Sequence, residues 1–205
     1  MPDRHGALCA ALVLAGRQID RDWHDKPLRV RSSVSIRSLL GLEEHCMLAI
    51  GGVEVTVDPE ATTKFWDLAR LVKSELSGVR TREGVALPLN AAHRAVLSGM
   101  DAQSAPHLLK RAFAGQAMVT NLGRPPFDTI FRRLRLESLW GPAVLRGIEG
   151  EQTIGVATIN GSLNLLHTSY APLPALLMNI EEVLIAACAL EPYFATWSRA
   201  VHSRR

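Results

Sequence analysis

Apolar and polar residues alternate from Leu28 to Ile36. Leu28, Val30, Ser32, Val34 and Ile36 share one side, and Arg29, Arg31, Ser33 and Ser35 the other. That period of two predicts a strand with one buried face. Ahead of it, an Ala- and Leu-rich run predicts a helix over residues 6 to 19, ending in the charged segment "RQIDRDWHDKP". A second extended region spans Cys46 to Val57, where "IGGVEVTV" has high β-propensity and its Gly-Gly pair predicts a bulge or turn. Pro59-Glu60 then opens a predicted helix over 60–77. In it Phe65, Leu68, Ala69, Val72 and Leu76 fall three and four apart, and Gly78 is the stop. Shorter helical patterns cover about Leu89 to Ser98 and about Ala105 to Phe113.

In "AMVTNLGRPPFDTIFRRLRLESLWGP", an apolar strand runs into a tight break at Asn121-Leu122-Gly123. A Pro-Pro turn follows, and then a second strand carrying Arg132, Arg133 and Arg135. Further on, Asn160-Gly161 stands between two β-rich runs, the signature of a two-residue type I′ hairpin. Leu176, Leu177, Ile180, Val183, Leu184, Ala187 and Cys188 mark one apolar face of a closing helix over 174–190, and Pro192 breaks it. Helices mixed with adjoining hairpin strands predict an α/β fold, a two-layer sandwich with a mixed or antiparallel sheet under helices. No repeat, low-complexity tract or linker divides the chain, so 1–205 reads as a single domain.

Composition narrows the partners more than the fold. A chain of 205 residues, 47% hydrophobic and 21% charged, has enough material for one real core. The net charge of +3 comes from scattered arginines, densest at Arg132, Arg133 and Arg135, with a smaller group at Arg204 and Arg205. Without a basic stripe interleaved with aromatics, nucleic acid is not an expected partner; an acidic protein or a phosphate-bearing ligand fits better. No run reaches the roughly 18 apolar residues of a membrane span. Residues 4–15 have the basic start and short apolar run of a secretory segment, but Asp3 and the helical pattern favour a buried helix in a cytoplasmic chain. Cys9, Cys46 and Cys188 are odd in number and lack ligand spacing, so they are expected to be buried free thiols, with no metal bound.

The familiar catalytic motifs are absent: no glycine-rich phosphate loop, no His-Glu-x-x-His helix, no Gly-x-Ser-x-Gly elbow. Asp22, His24 and Asp25 cluster in a polar loop and read as surface. His167 alternates onto the face of Leu163, Leu165 and Ser169. It is either a general base among apolar neighbours or, the favoured reading, a half-buried strand histidine bonded to backbone or water. At Thr120-Asn121 a hydroxyl and an amide end an apolar strand. Such groups donate to an oxyanion in acyl transfer, and they equally cap a strand through an Asx-type turn. Arg37 closes its strand, where an arginine either binds phosphate or carboxylate or pins a loop through backbone carbonyls.

In order, "RHGALCAALVLAG", "PLRVRSSVSIR", "FWDLARLVKSEL", "VTNLGR", "LRLESLWGP" and "GVATINGSLNLLHTSY" resemble the C-terminal half of the condensation-type acyltransferase superfamily. The nearest branch is the polyketide-associated one that includes the phthiocerol/phthiodiolone dimycocerosyl transferases, and the resemblance spans about His5 to Leu190. It implies a chloramphenicol-acetyltransferase-like half-domain that joins a similar half in a V, with the active-site tunnel between them. It implies no permanently bound cofactor: acyl-CoA or an acyl carrier protein is the donor, and a hydroxyl or amine the acceptor. The family's catalytic histidine belongs to a His-His-x-x-x-Asp-Gly motif of the N-terminal half, which this sequence lacks. "LHTSYAP" around His167 occupies the equivalent strand without the second histidine or the Asp-Gly, so His167 is not the implied base.

By the same resemblance Thr120 and Asn121 face the tunnel, beside the oxygen of the tetrahedral intermediate. Arg37 matches an arginine beside the tunnel. With Arg124, Arg132, Arg133 and Arg135 it would orient a phosphopantetheine or carrier protein, while "LWGP" is structural. Met1 coincides with the start of the second half, so a half-enzyme from a split or truncated gene is expected. Its expected partners are an N-terminal half, an acyl carrier protein and a second copy of the chain. The expected activity is acyl transfer by the paired halves, with this chain inactive alone; the alternative is a non-catalytic remnant serving as an interaction or pairing module.

Overall fold

A computed structural model describes residues 4–47, 49–60, 64–79, 81–99, 101, 103 and 115–189. Its helices are α1 (Arg4–Ile19), α2 (Arg21–Asp25), α3 (Arg37–Leu40), α4 (Phe65–Val79), α5 (Arg82–Leu97) and α6 (Leu176–Ala189). Its strands are β1 (Leu28–Ser35), β2 (Ile50–Val57), β3 (Ala117–Asn121), β4 (Ile130–Phe131), β5 (Leu134–Arg135), β6 (Gln152–Ile159) and β7 (Ser162–Thr168).

Alternation in β1 buries Leu28, Val30, Ser32 and Val34 and leaves their neighbours half-buried or exposed. β2 pairs with β1 antiparallel from Leu28–Val57 to Ser35–Ile50. Gly51 and Gly52 keep this register opposite Val34 and Ser33, so they form neither bulge nor turn. β3 runs parallel to both β1 and β6, and β7 returns antiparallel to β6. The sheet order β2-β1-β3-β6-β7 is therefore mixed, parallel at the centre with a hairpin partner at each edge. Asn160 (φ 50°) and Gly161 (φ 82°) take the two left-handed positions that a type I′ turn demands.

The helix layer covers one face. α1 lies in the middle, buried from Leu8 to Val13, with α4 and α6 packed on it. Leu68, Val72 and Leu76 of α4 and Leu176 and Ile180 of α6 complete a core with Val30, Val55, Val119, Ile154 and Val156 of the sheet. The opposite face is covered along β6 by the chain after Leu139: the Pro142 carbonyl stands directly over Gly155, and Thr168 Oγ1 donates to Val144 O at 2.9 Å. Every residue of β6 is buried as a result. This is the expected α/β half-domain, helices on a mixed sheet.

Several elements depart from expectation. The expected arginine-bearing strand is a miniature hairpin off the sheet, β4–β5, with Arg132 (φ 56°) and Arg133 at its tip. Its β-propensity found no sheet neighbour, and both strands are exposed. α4 begins at Phe65, later than Pro59-Glu60, which form a turn. The pattern at Leu89 to Ser98 belongs to the longer α5, and the one at Ala105 to Phe113 lies outside the described residues. Cys9 is buried and Cys188 half-buried, but Cys46 is exposed, because β2 starts only at Ile50 and leaves it in the preceding loop. Among the described residues no helix is long and apolar enough to cross a membrane, and no cluster of His, Cys, Asp and Glu could hold a metal ion.

Candidate functional site

Two parallel strands, β1 and β3, end side by side near the first turn of α1. Between them opens a cleft of about 670 Å³. Arg4 and His5 border it on α1, Ser33 to Ile36 at the end of β1, and Asn121 to Gly123 at the end of β3. Beyond the carboxyl ends of adjacent parallel strands is where open α/β sheets commonly bind ligands. The α1 end contributes positive charge: its first turn holds Arg4 and no acidic residue, at the positive end of the helix dipole. The cleft is thus suited to a ligand with anionic or carbonyl oxygens.

Asn121 is its most useful polar group. Gly123, at φ 65°, turns its N–H back to donate to Asn121 Oδ1 at 2.7 Å. This is the Asx-type turn, and it orients the amide. Since Oδ1 is engaged, the Nδ2 end is left over, and no described residue accepts from it. The two roles weighed for Asn121 are therefore compatible: the cap fixes the amide, and its donor end remains for a ligand.

Thr120 does not join it. Ala117, Val119 and Asn121 point to the helix-covered face, and alternation sends Thr120 to the other face, opposite Gly155. Arg37 also has different work. It donates from Nη1 to Leu42 O at 3.1 Å and also to His45 O, and from Nη2 to Met47 O, closing the 41–47 loop. Of its two candidate duties the loop clamp is the one formed, and it supports a rim of the cleft through its neighbours Ile36, Ser38 and Leu39. Arg124, Arg132, Arg133 and Arg135 are exposed and stand outside the cleft lining. Among the described residues, Arg135 alone of this group has an ion-pair partner, Glu137 at 3.6 Å.

His167 is tied to Gln152. The Gln152 amide is oriented by main chain: Nε2 donates to Gly150 O and Ala171 O, each at 2.9 Å, and Oε1 accepts from Leu173 N–H at 3.0 Å. His167 Nε2 lies 2.8 Å from that same Oε1, so it carries the proton. Burial pushes the imidazole pKa below its ordinary 6.5, which keeps the ring neutral. This is the half-buried strand histidine, bonded to a side-chain amide where backbone or water was expected.

Sequence reasoning missed Ser33, Ser35, Ser38, Arg4 and His5. The pairing of β1 with β3 brings Ser33 and Ser35 to Asn121, and the packing of α1 on β3 brings Arg4 and His5, all from positions distant in sequence. A larger hollow of about 1010 Å³ lies over α1 between α4 and α6, but it contains none of the predicted site residues. Its most inward cation, Arg17, donates to the carbonyls of Val57 and Asp58.

No family model and no curated protein matches the chain. Among solved structures it is similar to polyketide synthase associated protein 5 from Mycobacterium tuberculosis, with 17% identity and a TM-score of 0.50 over 87% of this chain and 43% of that one. It is also similar to the epimerization domain from the third module of tyrocidine synthetase B, with 16% identity and a TM-score of 0.51 over 90% of this chain and 42% of that one. The chain spans less than half the length of either protein. At this identity the likeness is one of fold: the chain has a mixed α/β fold of the chloramphenicol-acetyltransferase-like, half-domain kind.

Proposed function

We propose that this chain is the C-terminal half of a condensation-type acyltransferase, which moves an acyl group from a thioester on coenzyme A or a carrier protein to a hydroxyl or amine. The observation that carries the reading is the fit of almost the whole chain to less than half of each similar solved structure. An N-terminal half would supply the base, and the cleft at the end of β3 would form one wall of the shared site. The acceptor oxygen or nitrogen attacks the thioester carbon while its proton passes to that base. Asn121 Nδ2 donates to the carbonyl oxygen as it gains charge; the C–S bond then breaks as the carbonyl re-forms, and the base returns its proton to the leaving sulfur, releasing the thiol. Thr120 has no part in this, since it leaves the opposite face. Arg124 and the arginines of the β4–β5 hairpin are the remaining cations for a phosphopantetheine or an acidic carrier protein. The second reading is a non-catalytic remnant, a pairing module without turnover.

The test is an acyl-CoA transfer assay on the chain alone and on the chain co-purified with a half bearing the His-His-x-x-x-Asp-Gly motif. Alone it should not exceed the buffer rate, because general-base help is typically worth about 10² to 10⁴ in rate. Together the halves should turn over. Turnover by the lone chain that stops in His167→Ala would sink the proposal, and a stable but inactive pair would establish the second reading.

A further inference from the structure

The β4–β5 hairpin is an ordered arm with nothing apolar to lie on. Ile130 is 67% exposed and Leu134 74%, with Phe127 and Phe131 exposed beside them. Its base is nevertheless fixed. Asn160 of the β6–β7 turn accepts from Thr129 Oγ1 at 2.8 Å and donates from Nδ2 to Leu136 O at 2.6 Å, and Leu136 N–H donates to Thr129 O. Such an arm is preorganised, so docking it costs little ordering. Phe131 and Leu134 pair across the hairpin, so the arm presents an apolar pair with Arg132 and Arg133 at the tip beyond it, and neither arginine has a partner among the described residues.

The same chain carries the complement. On α6, Met178, Glu181, Glu182 and Ile185 fall at i, i+3, i+4 and i+7, one stripe of the helix, and all are exposed. Met178 is 58% and Ile185 47% open to solvent. That stripe reads apolar, acidic, acidic, apolar. The helix has no lysine or arginine, and neither glutamate is paired with a described residue. Both surfaces are exposed at once, so the arm does not cover its own helix.

We propose that two copies of this chain associate, the arm of one lying along the α6 stripe of the other. The exposed apolar side chains of arm and helix supply affinity and the charges set orientation, because exposed ion pairs alone contribute little. A membrane is the poorer occupant, since the arginines are at the apex, which would enter hydrocarbon first. The inference does not rest on acyl transfer and can fail independently of it; a donor drawn to Arg132 and Arg133 would compete with the second copy, so association is read without one.

Sedimentation velocity over a dilution series tests it with wild type, R132E/R133E, E181K/E182K and an equimolar mixture of the two variants. Wild type should associate, and each variant should raise Kd by about tenfold or more, since like charges would then face each other. The mixture should recover a one-to-one complex, because the reversed arm meets the reversed helix and the unchanged arm the unchanged helix. A wild type that stays monomeric, variants that associate as wild type does, or a mixture that gains nothing would each overturn the proposal. So would monomers whose arm binds phosphatidylserine vesicles instead.

Discussion

At Asn121 a backbone contact decides which end of a side chain faces outward. Gly123 N–H holds Oδ1, so the donor end is the one left without a described partner beside the cleft. Read in "VTNLGR" alone, cap and donor are alternatives; the geometry makes the first a condition of the second. Substitution separates them. Asn121→Asp keeps the oxygen that accepts from Gly123 and removes the donor. In the enzyme reconstituted from both halves it should lower kcat by about 10² to 10³, the usual loss for one oxyanion donor, with Tm unchanged. Asn121→Ala should lose a similar rate and also about 1 kcal/mol of stability, because Gly123 loses its acceptor. An aspartate variant with full rate would show that the amide is a cap alone. His167 was less legible, because its role depends on Gln152, whose main-chain partners lie on segments far from it in sequence.

The elements that could be read directly are those whose signals are local. The period of two in β1 and the Asn160-Gly161 turn each express a backbone requirement within a few residues. The arginine-rich strand misled because β-propensity marks a segment fit for a sheet but not whether a neighbour exists. Gly155 was silent for a similar reason. A glycine inside a strand hints at close approach, and here the approaching group is the carbonyl of Pro142, from a segment the sequence shows only as a loop. Any side chain at 155 must push that segment off the sheet. Gly155→Ala is therefore expected to destabilise the fold by about 1–3 kcal/mol, the usual cost of overfilling a packed site, read as a lower urea midpoint at unchanged m. A neutral substitution would mean that the covering segment is loosely held.

For the whole molecule, the question is whether a half-length chain has a complete core. α1 is enclosed by α4 on one side, α6 on the other and the sheet beneath, so the described residues close a core without a second half. The three thiols report on this directly. Cys9 is 0% exposed, with Sγ 3.6 Å from Ser32 Oγ, in the middle of α1. Cys46 is exposed in the loop that Arg37 clamps, and Cys188 is half-buried near the end of α6, where burial raises its thiol pKa above the ordinary 9.0 and leaves less thiolate at a given pH. In mildly alkaline buffer a thiol reagent should modify Cys46 at once, Cys188 slowly and faster as pH rises, and Cys9 last. With increasing urea, the Cys9 rate should follow the global transition seen by circular dichroism, because no partial opening exposes a helix held on three sides. If Cys9 reacts well below that transition, α1 leaves the sheet on its own, and the core needs a partner to hold it closed.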